Sequence, residues 1–253
     1  MKNAPCIILS LLAATLLVLL PSCQTTPVAT PPENQIPELT AYEKFITNGY
    51  YPETMDIFMD DALMARADSS CPIYICLSQQ RGRLYVGDQV AADWPVSTGI
   101  PGRDTPTGNF RVTQKKQTYA SNRYGKMYDA NGRCINGDAD AFKHAVPAGG
   151  KFVGAPMPNW QRLTSDGVGM HTGKVRAGQR LSHGCIRTPH RMAVKLFEVT
   201  AVGTRVHVIA SPESTFPTGE ALRRRLFENK VTRAKNKSAG AVYRAYTASR
   251  GGN

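Results

Sequence analysis

Short alternating apolar runs, rather than helical repeats, organise the middle of this 253-residue chain. Ile73-Tyr74-Ile75-Cys76-Leu77 and Arg83-Leu84-Tyr85-Val86 read as strands around Gln80-Arg81-Gly82, a hairpin signal. Trp94 to Thr98 and Gly108 to Thr113 continue the strand pattern, separated by turn signals at Pro101-Gly102 and Thr105-Pro106-Thr107-Gly108. Residues 117–150 are polar and rich in Gly, Asn and Asp, which predicts a long excursion of the lid or binding-loop kind. Val168 to His171 reads as a strand end. Thr188 followed by Pro189 predicts a helix start, N-cap then N1 proline, with Ala193, Leu196, Phe197 and Thr200 on its packed face and Gly203 as its stop. Arg205 to Ile209 is a last strand. The pattern predicts a mainly β domain with a short helix and long loops over residues 71–210.

The flanks differ in texture. Ile7 to Leu20 carries no charge, is too short to span a bilayer comfortably, and fits the apolar core of a signal peptide over residues 1–22. It ends in Leu20-Pro21-Ser22-Cys23, which resembles a bacterial lipobox; that resemblance implies cleavage before Cys23, lipidation of Cys23, and an exported protein anchored in a membrane. Residues 23–70 form a Pro- and Thr-rich tether followed by a short mixed segment, with one or two short helices expected between Ala41 and Asp68, as in Thr54 to Ala67. Residues 211–253 form a basic tail, in which Leu222, Leu226 and Phe227 lie at helical spacing around Arg223, Arg224 and Arg225. The net charge of +12 favours anionic partners such as acidic lipid or wall polymer. Aromatic residues are not interleaved with the basic ones, so no nucleic-acid partner is expected. Nothing in the sequence specifies an oligomeric state.

Six cysteines divide by context. Cys6 leaves with the signal and Cys23 is the lipid site. Cys71 and Cys76 would face opposite sides of a regular strand and should not pair, while Cys134 could join either one. Cys185 differs from these. It sits in Leu181-Ser182-His183-Gly184-Cys185-Ile186-Arg187, downstream of Met170-His171-Thr172-Gly173. A free thiol has a pKa of about 8.5, and an adjacent imidazole that takes its proton turns it into a nucleophile. Gly184 lets backbone approach closely, which makes the N–H groups of Gly184 and Cys185 natural oxyanion donors. His171, His183, Cys185 and His190 match no familiar zinc spacing, so no metal is expected.

These residues resemble the L,D-transpeptidases with a YkuD-type catalytic domain. The resemblance rests on His171, on Ser182-His183-Gly184-Cys185-Ile186-Arg187, on Val96-Ser97-Thr98-Gly99, on Thr105-Pro106-Thr107-Gly108-Asn109-Phe110, and on Phe152 to Pro158. It implies a β-sandwich-type domain with Cys185 at the base of a groove, peptidoglycan stem peptides as partners and no need of an organic cofactor. Cys185 would attack the carbonyl between the third-position diamino acid and D-alanine, release D-alanine and hold a thioester, which an amine of a neighbouring stem then resolves. His171 would serve as base, oriented by the Thr172 carbonyl, and His183 would shape the site. Ser182, Arg187, Trp160 and Tyr124 are substrate-binding candidates. Tyr119 and Tyr128 are expected along the same groove, with Lys126, Arg133 and Lys143 meeting substrate carboxylates. Water as acceptor would make the protein a carboxypeptidase, and a protein lysine would make it a wall-anchoring enzyme. A wall-binding lipoprotein without catalysis is the reading from another class, and it has no need of a nucleophile.

Overall fold

Alternation in the sequence becomes three sheets. The computed structural model describes residues 39–47 and 49–212. The signal run, Cys23, the tether to residue 38 and the tail from residue 213 lie outside the described residues. Along the chain come α1 (Ala41–Ile46), β1 (Phe58–Met59), α2 (Asp61–Met64), β2 (Ile73–Cys76), β3 (Arg81–Val86), β4 (Gln89–Pro95), β5 (Gly108–Arg111), β6 (Gln114–Lys116), β7 (Ala120–Tyr128), β8 (Cys134–Asp140), β9 (Lys151–Pro156), β10 (Trp160–Arg162), β11 (Gly169–Thr172), β12 (Ile186–Thr188), α3 (His190–Val199) and β13 (Arg205–Ile209). One sheet has the order β1-β4-β3-β2-β13-β5, a second β12-β11-β10-β6, and a third β8-β7-β9. The mainly β expectation holds.

A single core joins the first two sheets. Ile73 and Ile75 of β2 and Val206 and Val208 of β13 turn the same way by strand alternation, and all four are buried. They meet Met170 of β11, Ile186 of β12 and the Met192 and Leu196 face of α3. Fully burying one such side chain stabilises the fold by about 1.5–3 kcal/mol.

Several expected boundaries move, each for a physical reason. The first hairpin turns at Leu77–Gln80, not around Gly82. Gly82 lies inside β3 because a Cβ there would come within 2.5 Å of the Trp94 ring. The strand expected from Trp94 begins earlier, at Gln89, and ends at Pro95. Thr188 does not cap a helix. It pairs with Thr172 in the β11–β12 ladder, and proline at the next position favours an extended residue before it. Pro189 is the N-cap and makes no side-chain cap bond. The polar excursion at 117–150 is not a loop: β7, β8 and β9 build the third sheet, with β7 in the middle. The two short helices allowed between Ala41 and Asp68 are α1 and α2, and the sequence pattern does not mark β1 between them. Cys71, Cys76, Cys134 and Cys185 are all free thiols.

Residues 41–59 are part of the same fold, held by a buried ionic cluster. Asp93 of β4 accepts from Arg81 Nε at 2.7 Å and from Arg83 Nε at 3.0 Å, with both carboxylate and guanidinium groups shielded from water. The Tyr42 hydroxyl of α1 donates to the same carboxylate at 2.7 Å, and Tyr51 donates at 2.9 Å. Arg81 also donates to the carbonyls of Thr54 and Asp56. Burial and the facing carboxylate push the Tyr51 phenol up to about 12. β1 then pairs with β4.

This cluster predicts a sharp asymmetry in stability. Asp93→Ala leaves two buried guanidinium groups without their shared anion and should cost about 3–5 kcal/mol. Tyr42→Phe removes the bond donated to Asp93 and the one accepted from Arg83 Nε, both of whose partners keep other bonds, and should cost about 1–2 kcal/mol. Urea unfolding of the two variants measures both values, and similar losses would contradict the central place given to Asp93.

Candidate active site

The register of two short strands brings the sequence motifs together. β11 and β12 run parallel, with Met170 opposite Ile186 and His171 opposite Arg187. Continuing that register back by one residue sets Cys185 beside Gly169. Side chains alternate along each strand, so Met170 and Ile186 enter the core while His171, Cys185 and Arg187 face the other way. Those three line one cavity of about 910 Å³.

The loop carrying Cys185 is fixed mainly by the segment after β4. Ser97 and Arg187 exchange backbone hydrogen bonds at 3.1 and 3.0 Å, and the Thr98 carbonyl accepts from Leu181 and Ser182 N–H at 2.9 Å. Thr105 of the Thr-Pro-Thr-Gly turn is buried; its hydroxyl donates to the Gly184 carbonyl at 2.7 Å and accepts from Gly99 N–H at 2.9 Å. That contact explains in physical terms why the two distant motifs accompany each other. Gly184 has φ of +117°, a conformation that side chains rarely adopt.

The histidine is oriented from behind. His171 Nδ1 lies 2.8 Å from the Thr172 carbonyl, so Nδ1–H donates and Nε2 is left as the basic nitrogen. Asn159, buried and with φ of +56°, donates from Nδ2 to the Thr172 hydroxyl at 3.0 Å, while Thr172 N–H bonds the Pro158 carbonyl. Trp160 stacks on Tyr119 with centroids 5.0 Å apart and lies 6.2 Å from the His171 ring.

Burial sets the charge state. It lowers the His171 pKa to about 4, with the Arg187 guanidinium acting in the same direction against the Thr172 hydrogen bond. It also pushes the Cys185 thiol up, opposed by the Gly169 N–H and by Arg187. At neutral pH the pair therefore rests as thiol and neutral imidazole rather than as an ion pair. The thiol lies 3.7 Å from the Gly167 carbonyl.

The remaining residues expected at the site fall into place differently. Trp160 is fully buried behind His171 and does not line the cavity. The Ser182 hydroxyl donates to the Cys185 carbonyl and accepts from Gly184 N–H, so it holds the loop at the edge of the cavity that it also lines. The same bond engages the Gly184 N–H expected as an oxyanion donor. Arg133 pairs with Asp129 at the far end of β7 and β8, and neither it nor Lys143 lines the cavity. Tyr119, Tyr124, Tyr128, Lys126 and Arg187 do line it. His183 packs edge-on against Tyr124 at 4.5 Å and lies 3.3 Å from Asp138 of β8, which ties the third sheet to the cysteine loop. The sequence pattern did not point to Asp138, Asn159 or Gly169. Only Asn159 carried a signal, as the residue after Pro158 in a turn-forming pair. Among the described residues, no group of three or more His, Cys, Asp or Glu side chains is placed to hold a metal ion.

Domains of this β-rich kind that match the L,D-transpeptidase catalytic model are acyltransferase-type enzymes. The chain belongs to the YkuD family of L,D-transpeptidase catalytic domains, whose family model matches residues 72–208. Among solved structures, it is similar to an L,D-transpeptidase from Mycobacterium smegmatis (19% identity, 56% of this chain and 59% of that chain, TM-score 0.44). It is also similar to L,D-transpeptidase 1 of Mycobacterium tuberculosis (20%, 56% and 62%, 0.41) and to a mutant of the Enterococcus faecium L,D-transpeptidase (24%, 56% and 50%, 0.40). The match spans about three fifths of the length of each mycobacterial chain. No curated protein matches the sequence.

The neutral resting pair has a pH signature. Alkylation of Cys185 by iodoacetamide should be slow at neutral pH and keep rising above the ordinary thiol pKa of about 8.5. Peptide mapping against pH measures this, and a rate already flat from mildly acidic pH would show a standing thiolate. His171 adds an acid-side effect on stability. The unfolded imidazole takes its proton at about 6.5, whereas the folded one does so only at about 4. Stability from this group is therefore present above about 6.5 and falls as pH drops towards 4.

Proposed function

We propose that the protein is an L,D-transpeptidase in which Cys185 is the nucleophile and His171 its base. The observation that carries this reading is that Cys185, immediately before β12, and His171 of β11 line one cavity, with Nδ1–H of His171 committed to the Thr172 carbonyl. His171 Nε2 takes the thiol proton as Cys185 attacks the carbonyl between the diamino acid and D-alanine of a tetrapeptide stem. The same proton passes to the departing D-alanine amine. Cys185 N–H serves the oxyanion, a role worth about 3–4 kcal/mol per donor. An amine of a second stem then displaces the thioester and leaves a crosslink between two third-position residues.

The cavity suits such a donor. Arg123, Lys126, Arg162, Lys174 and Arg187 line it against Asp138 and Asp166, so its balance of charge is cationic. An extended stem peptide carries several carboxylates, and Lys126 and Lys174 are exposed at the wall. Tyr124 of β7 offers an apolar surface with a polar tip to the same peptide. His183, held between Tyr124 and Asp138, keeps that wall in register with the cysteine loop.

Two experiments test the reading. Cys185→Ala should stay folded and lose all transfer of tetrapeptide stems, and His171→Ala should lose about 100- to 10,000-fold, both read by mass spectrometry of muropeptides. A carbapenem adduct that persists on Cys185→Ala would move the nucleophile elsewhere. The address is tested separately. We infer from the lipobox-like Leu20-Pro21-Ser22-Cys23 that Cys23 carries a lipid anchor on an exported protein. Cys23→Ala should shift the protein from the membrane fraction to the soluble fraction, and unchanged fractionation would assign retention to another segment.

A further inference from the structure

We propose that Asp166 forms an ammonium-binding subsite that seats the amine acceptor and so favours aminolysis of the acyl-enzyme over its hydrolysis. The inference rests on the reading of Cys185 as the thioester-forming residue.

Asp166 sits at the tip of the hairpin that joins β10 to β11. Its neighbour Gly167 puts its carbonyl 3.7 Å from the Cys185 sulfur. By chain geometry the Asp166 Cα lies within about 10 Å of that sulfur. The tip is well braced. Leu163 N–H and Thr164 N–H both bond the Val168 carbonyl, and Gly167 N–H bonds the Thr164 carbonyl. The Thr164 hydroxyl accepts from Val168 N–H and donates to the Asp166 carboxylate, which fixes the direction of the acid. Asp166 is exposed and lines the cavity.

Its charge is not already neutralised by an ion pair. Among the described residues no cation lies within 4.0 Å of it. The two nearby arginines make their hydrogen bonds elsewhere, and Arg123 acts on Asp166 only through space. Arg123 is bidentate on Asp140, and Arg162 donates to the Ser165 carbonyl and the Tyr119 hydroxyl while lying over the Trp160 ring. In a cavity whose other charges are mostly cationic, an amine acceptor arriving as ammonium meets repulsion except where a carboxylate stands. Asp138, the other lining acid, is 3.3 Å from His183 and 4.0 Å from Arg103. Asp166 is therefore the acid left for the acceptor. Held there, the ammonium loses one proton to solvent, and the free amine attacks the thioester carbonyl. The C–N bond forms, the C–S bond breaks, and the second amine proton passes through His171 to the departing sulfur. Water gains nothing from Asp166, so the subsite acts on the ratio of the two outcomes.

The test uses the full chain with a tetrapeptide stem as donor and two acceptors, Nα-acetyl-lysine amide, which is an ammonium at neutral pH, and methoxyamine, which is neutral. For Asp166→Asn, KM for the lysine acceptor should rise about tenfold and the hydrolysed product should gain accordingly, with carbapenem acylation followed in parallel to register any separate effect on Cys185, whose thiol Asp166 helps to push up. Methoxyamine should be unaffected, and Asp166→Glu should restore part of the lysine preference. An unchanged ratio of aminolysis to hydrolysis in Asp166→Asn would overturn the proposal, as would an equal loss for both acceptors. Should Asp166→Asn fail to fold, the wild-type enzyme decides: added salt should raise KM for the lysine acceptor and leave that for methoxyamine, and equal responses would overturn the subsite. Absence of any acylation of the wild type at Cys185 would instead sink the underlying transpeptidase reading, which the carbapenem arm detects separately.

Discussion

The parallel pairing of β11 with β12 is the constraint on which the site depends. Parallel neighbours cannot be joined by a tight turn; they need a crossover of about a dozen residues or more. Here the crossover runs from Gly173 to Cys185. It puts the cysteine at the last position before the second strand, while the histidine lies in the first. Neither residue has to be near the other in sequence, and yet the register fixes their relation to one residue. A slip of one position would exchange the faces of Ile186 and Arg187, placing a guanidinium in the core and an apolar side chain in the cavity. The core contacts of Met170 and Ile186 thus guard the geometry of the opposite, polar face.

Two effects of burial act on that face together. Desolvation disfavours the thiolate and the imidazolium alike, and Arg187 opposes only one of them. Arg187 favours the thiolate and disfavours the imidazolium, so it biases the pair without being able to hold both charges. A resting neutral pair protects the thiol from adventitious alkylation and oxidation. Under the proposed mechanism, charge appears only when a substrate carbonyl is present to receive it. The orientation of His171 through the Thr172 carbonyl then matters more than its basicity, because it leaves Nε2 as the nitrogen free to take a proton.

The sequence showed the chemistry better than the architecture around it. Cys185, His171 and the Thr105 turn were legible because residue type and spacing encode them directly. The central strands β2 and β13 of the first sheet were legible because Ile73 and Ile75, and Val206 and Val208, recur at every second position. The third sheet was not, because β7 and β8 pair through the polar, Gly-containing runs Ala120–Tyr128 and Cys134–Asp140, which carry little apolar alternation. Thr188-Pro189 misled because an N-cap signal and the pre-proline preference for extended backbone coincide, and the ladder to Thr172 decided between them. Trp160 misled because an aromatic residue in a groove-forming segment reads the same whether it faces substrate or supports the histidine. Only the fold separates those two cases.

The supports of the cysteine loop explain why so much polar structure is buried far from it. β12 has only three residues, so the sheet alone gives the loop before it little purchase. The loop is held instead through the Thr98 carbonyl, and Thr98 is held by the buried side chain of Gln80, which donates to its hydroxyl at 2.8 Å and accepts from its N–H at 2.9 Å. Gln80 closes the β2–β3 turn with φ of +49° and immediately precedes Arg81, whose guanidinium is fixed by Asp93 and by the carbonyls of Thr54 and Asp56. A buried ion pair is a weak source of stability, since desolvation offsets much of its attraction. Its value here is positional. Arg81 and Arg83 cannot leave Asp93 without stranding charge in the interior, and this locks the register of β3 against β4. That register sets where Gln80 stands, and through Thr98 it sets where the chain carrying Ser182 and Cys185 crosses the end of the sheet.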